Sequence, residues 1–261
     1  MKAFAGNAVI LTGASRGIGE QLAYTLAAQG ARLALAARSE EQLHIVAQRC
    51  RALGGEALVV PVDLTDEEAC RNLIARTVEQ YGRIDTLLYN AGVAFPKRFR
   101  ELTDLSTLRQ EMALNYFGLA ACSHAALPYL LQTKGRLVVV GSLNSFAGMG
   151  GTIGYNSSKH ALRGFANTLR NELRGTGVTV TATYPGAVAV ERLGRVMGQN
   201  ARRARAMTPQ DAAARIVSAA ASRRREVVFP AMVRFALWAY RFFPRLMDRQ
   251  FARVADWYVY E

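Results

Sequence analysis

Short apolar segments alternate with longer segments of helical periodicity along most of the 261-residue chain. The apolar segments show no regular polar alternation, as expected for strands that are buried on both faces. Strands of this kind alternating with helices indicate a parallel, doubly wound α/β sheet. The predicted strands are Ala8–Thr12, Arg32–Ala36, Ala57–Val62, Thr86–Tyr89, Arg136–Gly141, Thr179–Tyr184 and Glu226–Phe229.

The helical segments and the absence of a linker predict one large domain. No internal repeat or low-complexity stretch divides the chain, so we predict a domain over residues 1–229 and an extension over 230–261. Residues 187–207 follow the sixth strand, where open α/β sheets bind ligands, and are predicted to form a substrate-binding insertion. Helices are predicted at Ile18–Gln29, Glu40–Leu53, Asp66–Tyr81, Leu105–Leu131, Gly154–Arg174 and Pro209–Ser222.

Cysteine and histidine usage argues against a disulfide framework and a metal site. The three cysteines are scattered with no Cys-x-x-Cys, and the three histidines have no metal-ligand spacing. This is typical of a reduced, cytoplasmic protein. The N-terminus shows no secretory leader, and no apolar run approaches the ~18 residues of a membrane span.

A glycine-rich turn lies between the first predicted strand and the first predicted helix. Residues 12–19 read Thr-Gly-Ala-Ser-Arg-Gly-Ile-Gly, with glycines at positions 13, 17 and 19. Glycines let the backbone approach a pyrophosphate, and the helix N-terminus offers it unpaired N–H groups. The spacing differs from the common Gly-x-Gly-x-x-Gly. We predict a dinucleotide site here, the alternative being a plain strand–helix turn.

Charges near this turn predict which dinucleotide is bound. A carboxylate at the end of the second strand would favour NAD, but that position is about Ala37, followed by Arg38. Arg16 lies within the glycine turn itself. Two cations and no carboxylate suit a 2′-phosphate and hence NADP, unless Arg38 is simply a solvated residue at the helix start. Asp63 follows the third strand and is expected near the adenine or, alternatively, as a helix cap.

Tyr155 and Lys159 are four residues apart on a predicted helix and therefore share one face. A nearby ammonium stabilises phenolate, so we expect the tyrosine pKa to fall below its reference of about 10. A tyrosine of this kind can exchange a proton near neutral pH. By itself the spacing is weak evidence, because an isolated match is more often an amphipathic helix that carries a snorkelling lysine.

Six motifs in order give the chain a clear resemblance to the short-chain dehydrogenases/reductases, over roughly residues 5–229. The resemblance implies a single Rossmann-type domain with a seven-stranded parallel sheet in the order 3-2-1-4-5-6-7. The motifs are the 12–19 turn, Asn90-Ala91-Gly92 after the fourth strand, Asn115 in the long helix, Ser142 after the fifth strand, Tyr155 with Lys159, and Pro185-Gly186 after the sixth strand.

The resemblance also implies catalytic roles. Tyr155 would protonate the carbonyl oxygen, and Lys159 would lower the tyrosine pKa and hold the nicotinamide ribose. Ser142 would hydrogen-bond the substrate oxygen, and Asn115 would hold a water molecule of a proton relay. The implied activity is an NADP-dependent interconversion of a carbonyl and an alcohol. The alternative is a non-catalytic cofactor-binding scaffold or sensor on the same fold, against which the complete set of four residues argues.

The family's cofactor contacts transfer to positions along the carboxyl edge of the sheet. Val190 stands where members commonly carry a cofactor-contacting Thr, and Tyr89 where a second Asn is common. Asn144 or Ser145 could face the substrate, or serve only in turn hydrogen bonding. The predicted cofactor-binding residues are Gly13, Ser15, Arg16, Gly17, Ile18, Gly19, Arg38, Asp63, Leu64, Asn90, Ala91, Gly92, Tyr155, Lys159, Pro185, Gly186 and Val188; Ser142, Asn144 and Tyr155 are predicted to face the substrate.

The C-terminal region carries most of the net charge of +13. From residue 192 onward fourteen arginines face five acidic residues, which gives 14 − 5 = +9. In residues 230–261 aromatic side chains are interleaved with arginines, and Pro244 is expected to break or kink the helix. Three hypotheses remain: packing on the domain or a second subunit, contact with an anionic membrane surface, or nucleic-acid binding. We predict no nucleic-acid partner, an apolar substrate, and a homodimer or homotetramer, as in many members of the family.

Overall fold

Seven parallel strands form one sheet in the order β3-β2-β1-β4-β5-β6-β7, which confirms the predicted order. The computed structural model describes residues 2–191 and 206–255, so most of the predicted 187–207 insertion lies outside the described residues. Each predicted strand is present with its limits within one residue. The strands are β1 (Ala8–Thr12), β2 (Arg32–Ala37), β3 (Glu56–Pro61), β4 (Thr86–Tyr89), β5 (Arg136–Val140), β6 (Thr179–Pro185) and β7 (Glu226–Phe229).

Helices cover both faces of the sheet and enclose two apolar cores. On one face, α3, α5 and α6 pack on a cluster that includes Leu73, Leu119 and Leu162. On the other face, α1, α2 and α7 pack on a cluster that includes Leu22 and Ile216. The described helices are α1 (Gly17–Ala27), α2 (Glu40–Ala52), α3 (Glu67–Tyr81), α4 (Ser106–Met112), α5 (Gly118–Thr133), α6 (Ile153–Glu172), α7 (Pro209–Ala221), α8 (Ala231–Phe242) and α9 (Pro244–Ala255).

The predicted long helix over Leu105–Leu131 is not one uniform α-helix. A π-helical turn, Ala113–Phe117, joins α4 to α5, and the flanking residues keep helical backbone angles. The helix therefore continues from α4 into α5, with a wider turn around Asn115. Hydrophobic periodicity does not reveal such a turn, because one extra residue shifts the pattern only slightly. π-turns inside helices occur frequently at functional sites.

The start of α3 tests one of the two predicted uses of Asp63, the helix cap. Asp66, not Asp63, caps the helix, since its carboxylate accepts a hydrogen bond from the Glu68 N–H. Asp63 instead accepts from the N–H and hydroxyl of Thr65. The helix-cap alternative for Asp63 was therefore wrong, because a cap must directly precede the first helical turn.

The C-terminal extension forms two short helices. The predicted break at Pro244 is confirmed: α8 ends at Phe242, Phe243 has non-helical φ and ψ of −129° and 56°, and α9 begins at Pro244. Val233 of α8 is buried, and a methyl group built on Gly186 would lie 2.8 Å from it. The extension therefore packs onto the carboxyl edge of the sheet at the end of β6.

Candidate active site

The glycine turn after β1 has the backbone that its sequence predicts. Gly13 and Gly17 have φ of +65° and +60°, values that L-residues with side chains rarely adopt. Gly19 allows close packing, because a Cβ there would lie 1.9 Å from the Gly13 carbonyl oxygen. The turn leads directly into α1, whose N-terminus faces the same edge of the sheet. Glycine is thus required at all three positions.

The segment after β4 is tied to this turn by hydrogen bonds. The Thr12 hydroxyl accepts from the backbone N–H groups of Asn90 and Ala91, at 3.0 and 3.1 Å. The Asn90 amide donates to the carbonyl oxygens of Thr12 and Gly13, both at 3.2 Å. Asn90 therefore links the ends of β1 and β4 at the predicted cofactor site.

Two exposed arginines lie at the edge predicted to take the ribose. Arg38 follows the last residue of β2, and Arg16 precedes α1. The hydrogen bonds from Thr65, aided by the positive charge of Arg38, hold the pKa of Asp63 below its usual value. Arg16 lies 3.7 Å from Glu191, in an ion pair in which both side chains are about two-thirds exposed. Two guanidinium groups, those of Arg16 and Arg38, thus lie at this corner beside the carboxylates of Glu191 and Asp63.

Tyr155 and Lys159 lie on one face of α6, as their spacing predicts. The Lys159 Nζ lies 5.6 Å from the centroid of the Tyr155 ring. Lys159 is only 3% exposed, and its ammonium donates to the carbonyl oxygen of Val140, the last residue of β5, at 3.1 Å. The ammonium is thereby held beside the phenol and cannot extend into bulk solvent.

Asn115 lies in the π-turn and reaches the same space. Its side-chain oxygen Oδ1 accepts a hydrogen bond from the Val93 N–H at 2.8 Å. Its side-chain nitrogen Nδ2 donates to the backbone carbonyl of Val93 and to the Ser158 hydroxyl, each at 2.9 Å. Ser158 in turn donates to the Tyr155 carbonyl. A Cβ on Gly92 would lie 3.1 Å from the Asn115 Oδ1 and 3.4 Å from the Lys159 Nζ. Gly92 therefore borders both polar groups.

Ser142 begins a one-turn 3₁₀ helix, Leu143–Ser145, directly after β5. Its hydroxyl contacts the Asn144 Oδ1 at 3.2 Å and accepts from the Asn144 backbone N–H at 3.3 Å. The Ser145 hydroxyl accepts from the Ser142 N–H at 3.3 Å. Asn144 is 8% exposed, and Ser145 is fully buried. The Ser145 side chain thus makes a turn hydrogen bond, which was its alternative use, whereas the Asn144 side chain contacts the Ser142 hydroxyl.

The glycine turn, asparagine, serine, tyrosine and lysine of this site lie within a region that a known protein family shares. The family described as short chain dehydrogenase matches residues 7–200. The chain belongs to the short-chain dehydrogenase family. Members of this family are oxidoreductases that use a nicotinamide dinucleotide, and this activity class is shared by the curated relatives of the chain.

Several curated short-chain dehydrogenases are similar along most of the chain. One is 11-beta-hydroxysteroid dehydrogenase A of Sesamum indicum, 36% identical over 94% of this chain and 74% of the relative. Another is the Dehydrogenase/reductase SDR family protein 7-like of Dictyostelium discoideum, 34% identical over 92% of this chain and 79% of the relative. 11-beta-hydroxysteroid dehydrogenase-like 4A of Arabidopsis thaliana is 39% identical over 70% of this chain but only 61% of the relative.

The end of β6 forms the wall where this short-chain dehydrogenase is expected to hold the nicotinamide. Pro185 ends β6, and the Gly186 N–H donates to the Phe229 carbonyl oxygen at 2.8 Å. Val188 is buried and pairs with Met207 in an isolated bridge. The Val190 Cγ1 would lie 3.1 Å from a Cβ on Gly17, so Val190 covers the glycine turn.

Four residues of the site were not predicted from the sequence. Thr12 joins β1 to β4, and Ser158 links Asn115 to the Tyr155 backbone. Asn156 is buried beside Tyr155, and Glu111 is fully buried with its carboxylate accepting from the Phe95 N–H at 2.8 Å. Glu111 precedes Asn115 by one helical turn, and this spacing could have identified Glu111 from the sequence. The partners of Thr12 and Asn156 are distant in sequence or lie in loops, so no local pattern marks them.

Proposed function

We propose that this protein is an NADP-dependent oxidoreductase that interconverts a carbonyl and an alcohol on an apolar substrate. The observation that carries the proposal is the convergence of Tyr155, Lys159, Ser142 and Asn115 at the carboxyl ends of β4 and β5. Lys159, Asn115 and Ser142 are each held by hydrogen bonds, which is the preorganisation that proton transfer and charge stabilisation require.

The residues divide the work in the direction of reduction. Tyr155 gives its phenolic proton to the carbonyl oxygen, and the buried Lys159 ammonium stabilises the phenolate that remains. Ser142 hydrogen-bonds the oxygen on which negative charge develops. Asn115 would hold a water molecule that links Lys159 to bulk solvent, through which a proton can return. When bound, NADPH would supply the hydride.

The residues present fit a nicotinamide dinucleotide with a 2′-phosphate. The glycine turn leaves backbone space at the N-terminus of α1, and Arg16 and Arg38 supply positive charge without a carboxylate at the end of β2. Guanidinium groups pair well with phosphate oxygens. In fluorescence titrations we expect tighter binding of NADPH than of NADH; tighter NADH binding would refute this choice of cofactor.

The catalytic proposal is tested by replacing Tyr155→Phe. Removal of the phenolic proton should lower turnover by at least ~100-fold, the usual contribution of a general acid. NADPH binding should stay within about twofold, because the ring remains. A variant that kept its turnover would contradict the assignment, and a wild-type protein that bound NADPH but reduced no carbonyl would favour a scaffold or sensor.

We further propose that the substrate is apolar and is reached from an anionic membrane surface. The relatives named hydroxysteroid dehydrogenases support an apolar alcohol or ketone. Along α8, Met232, Phe235, Trp238 and Phe242 are each more than half exposed at helical spacing, and Arg234 and Arg241 flank them. Among the described helices, none is long and apolar enough to cross a membrane. We propose a peripheral contact, on a protein of the cytoplasm.

Liposome co-sedimentation tests the surface of α8. Phe235→Ser with Trp238→Ser should reduce binding to anionic vesicles, while Ile45→Ser, which removes an equally exposed apolar side chain from α2, should not. Neutral vesicles should bind less than anionic ones, because the arginines then lack their counter-charges. Equal binding by all forms would remove the membrane proposal and favour packing on a second subunit.

A homodimer or homotetramer is proposed from apolar side chains exposed along α5 and α6. Phe117, which ends the π-turn directly before α5, is 61% exposed, and Leu131 and Ile153 are each 40% exposed. Exposed apolar side chains on neighbouring helices are candidates for a subunit interface. Light scattering on the purified protein should give at least twice the mass of one chain, and a monomer would contradict the proposal.

A further inference from the structure

A chain of buried side-chain amides runs from the catalytic helix to Ser142. Asn156, next to Tyr155 on α6, and Asn144, in the turn after β5, are each 8% exposed. The Asn144 amide donates to the Asn156 Oδ1 at 2.5 Å. Buried polar groups are costly unless they have hydrogen-bond partners. We therefore traced the partners of both amides.

The orientation of Asn156 is fixed by a backbone carbonyl. Its side chain lies 2.7 Å from the Met149 carbonyl oxygen, which can only accept, so Nδ2 must be the atom that faces it. The same Nδ2 donates to the Thr152 hydroxyl at 3.2 Å, and that hydroxyl donates to the Met149 carbonyl. The Asn156 Oδ1 is therefore the atom that faces Asn144.

This orientation is passed on to Ser142. Since the Asn156 Oδ1 only accepts, Asn144 must present its Nδ2 to it, and the Asn144 Oδ1 is left facing the Ser142 hydroxyl at 3.2 Å. An amide oxygen cannot donate, so Ser142 must direct its proton to Asn144. The Asn144 backbone N–H donates to the same hydroxyl oxygen at 3.3 Å. The rotamer and the proton of Ser142 are thus set by a carbonyl several residues away.

We infer that Asn144 and Asn156 are positioning residues for the reaction, which hold the Ser142 hydroxyl in one orientation beside Tyr155. This inference rests on the proposed function. The hydrogen bond from the Ser142 hydroxyl to the Asn144 Oδ1 is long, so it can be exchanged for a hydrogen bond to the substrate oxygen. Ser142 therefore does not have to change its rotamer before the reaction. Asn144 serves the substrate only through Ser142, rather than by contacting it as its position after Ser142 first suggested.

Kinetics on the intact protein test the inference, with phenanthrenequinone as the probe carbonyl and NADPH as the reductant. Asn144→Ala should lower kcat about 3- to 10-fold, the equivalent of one lost hydrogen bond, while the KM for NADPH stays within twofold. In a Ser142→Ala background the same change should leave kcat unaltered, because the group through which it acts is gone. Ser157→Ala, an exposed neighbour on α6, is the control and should match the wild type.

A pH profile separates positioning from general packing. In Asn156→Asp the introduced carboxyl group can donate to the Met149 carbonyl only when it is protonated, and its burial raises its pKa. Activity should therefore approach that of the wild type at low pH and fall as the carboxyl ionises, a step that the wild type and Ser157→Ala lack. An unchanged kcat in Asn144→Ala, or an equal loss with and without Ser142, would overturn the inference.

An experiment that needs no turnover distinguishes failure of this inference from failure of the proposed function. With nitrogen-15 placed in asparagine, the side-chain amide protons of Asn144 and Asn156 should exchange slowly with solvent. Asn156→Ala should shift the Asn144 amide signal and speed its exchange. If phenanthrenequinone is not reduced by the wild type, the proposed function fails for this carbonyl and these signals alone decide whether the amide chain exists. Fast exchange in the wild type would contradict the chain.

Discussion

Two adjacent regions of the molecule hold their side chains in opposite ways. One is the C-terminal extension, and the other is the proposed catalytic edge, which comprises Ser142, Asn144, Tyr155, Asn156 and Lys159. Around Tyr155 the polar side chains are buried and joined to one another or to backbone, as in the chain from Met149 to Ser142. On α8 the aromatic side chains are exposed and contact mainly one another: Phe235 stacks on Trp238 at 5.9 Å, and Trp238 lies 5.1 Å from Phe242. The first arrangement agrees with the proposed reaction geometry, and the second with the proposed contact outside the domain.

The difference predicts that the proposed chemistry and the access of the substrate are separable in this protein. The catalytic edge consists of motifs shared with the short-chain dehydrogenases, whereas α8 and α9 follow the region matched by the family. The regions meet where Val233 packs against Gly186. We therefore expect substitutions at the catalytic edge to alter turnover of every substrate, and those in the extension to alter only how a membrane-borne substrate arrives.

The largest effect should come from Lys159→Met, which keeps the length of the side chain but removes its ammonium. Turnover of phenanthrenequinone should fall by at least ~100-fold, because the phenolate of Tyr155 loses its nearby cation. The Phe235→Ser and Trp238→Ser double variant should stay within twofold on the same dissolved substrate. A large loss in the double variant would break the separation of chemistry from access.

Arg38→Ala should produce the next largest effect, and only on the cofactor. Loss of a guanidinium–phosphate contact should weaken NADPH binding by about 10- to 100-fold, as for hydrogen bonds to charged groups. NADH binding should change less than twofold, because NADH has no 2′-phosphate. Calorimetric titration of both dinucleotides measures this; parallel losses would show that Arg38 supports the fold rather than the phosphate.

Two glycines of α6 test how tightly the catalytic edge is packed. A methyl group on Gly154 would lie 1.9 Å from the buried Glu111 carboxylate, whereas around Gly164 nothing lies within 4 Å. Gly154→Ala should destabilise the fold by about 1–3 kcal/mol through overpacking. Gly164→Ala should stabilise it by up to ~1 kcal/mol, because alanine favours the helix. Thermal unfolding of both variants should shift in opposite directions; a matching shift would contradict the close approach of α4 and α6.

The smallest effect is expected from Glu191→Gln. Glu191 lies beside Arg16, and removing its charge leaves that arginine more available to a phosphate. Because the pair is largely exposed, NADPH affinity should rise by no more than about threefold. The increase should shrink at high salt, as expected for an exposed charge. A loss of affinity would show that the pair orders the cofactor site instead.

Local pattern was sufficient for most of the fold. Strand identity follows from apolar runs, and the glycine turn follows from the need for positive φ at Gly13 and Gly17. The family resemblance supplied the sheet order and brought Asn115, Ser142, Tyr155 and Lys159 to one place. The π-turn around Asn115 and the use of Asp66 rather than Asp63 as a cap were not predicted, because both depend on one-residue differences in backbone geometry.

The sequence by itself therefore determined the fold class and the glycine turn, since these depend on short-range spacing or backbone freedom, and the family resemblance added the proposed tyrosine–lysine pair. Only the tertiary structure decided what holds these side chains in place. The Val140 carbonyl anchors Lys159, and the Met149 carbonyl orients Asn156 and, through Asn144, the Ser142 hydroxyl. The physical reason is that a hydrogen bond depends on where two chain segments meet in space, and neither the orientation of an amide nor the direction of a hydroxyl is encoded within either segment alone.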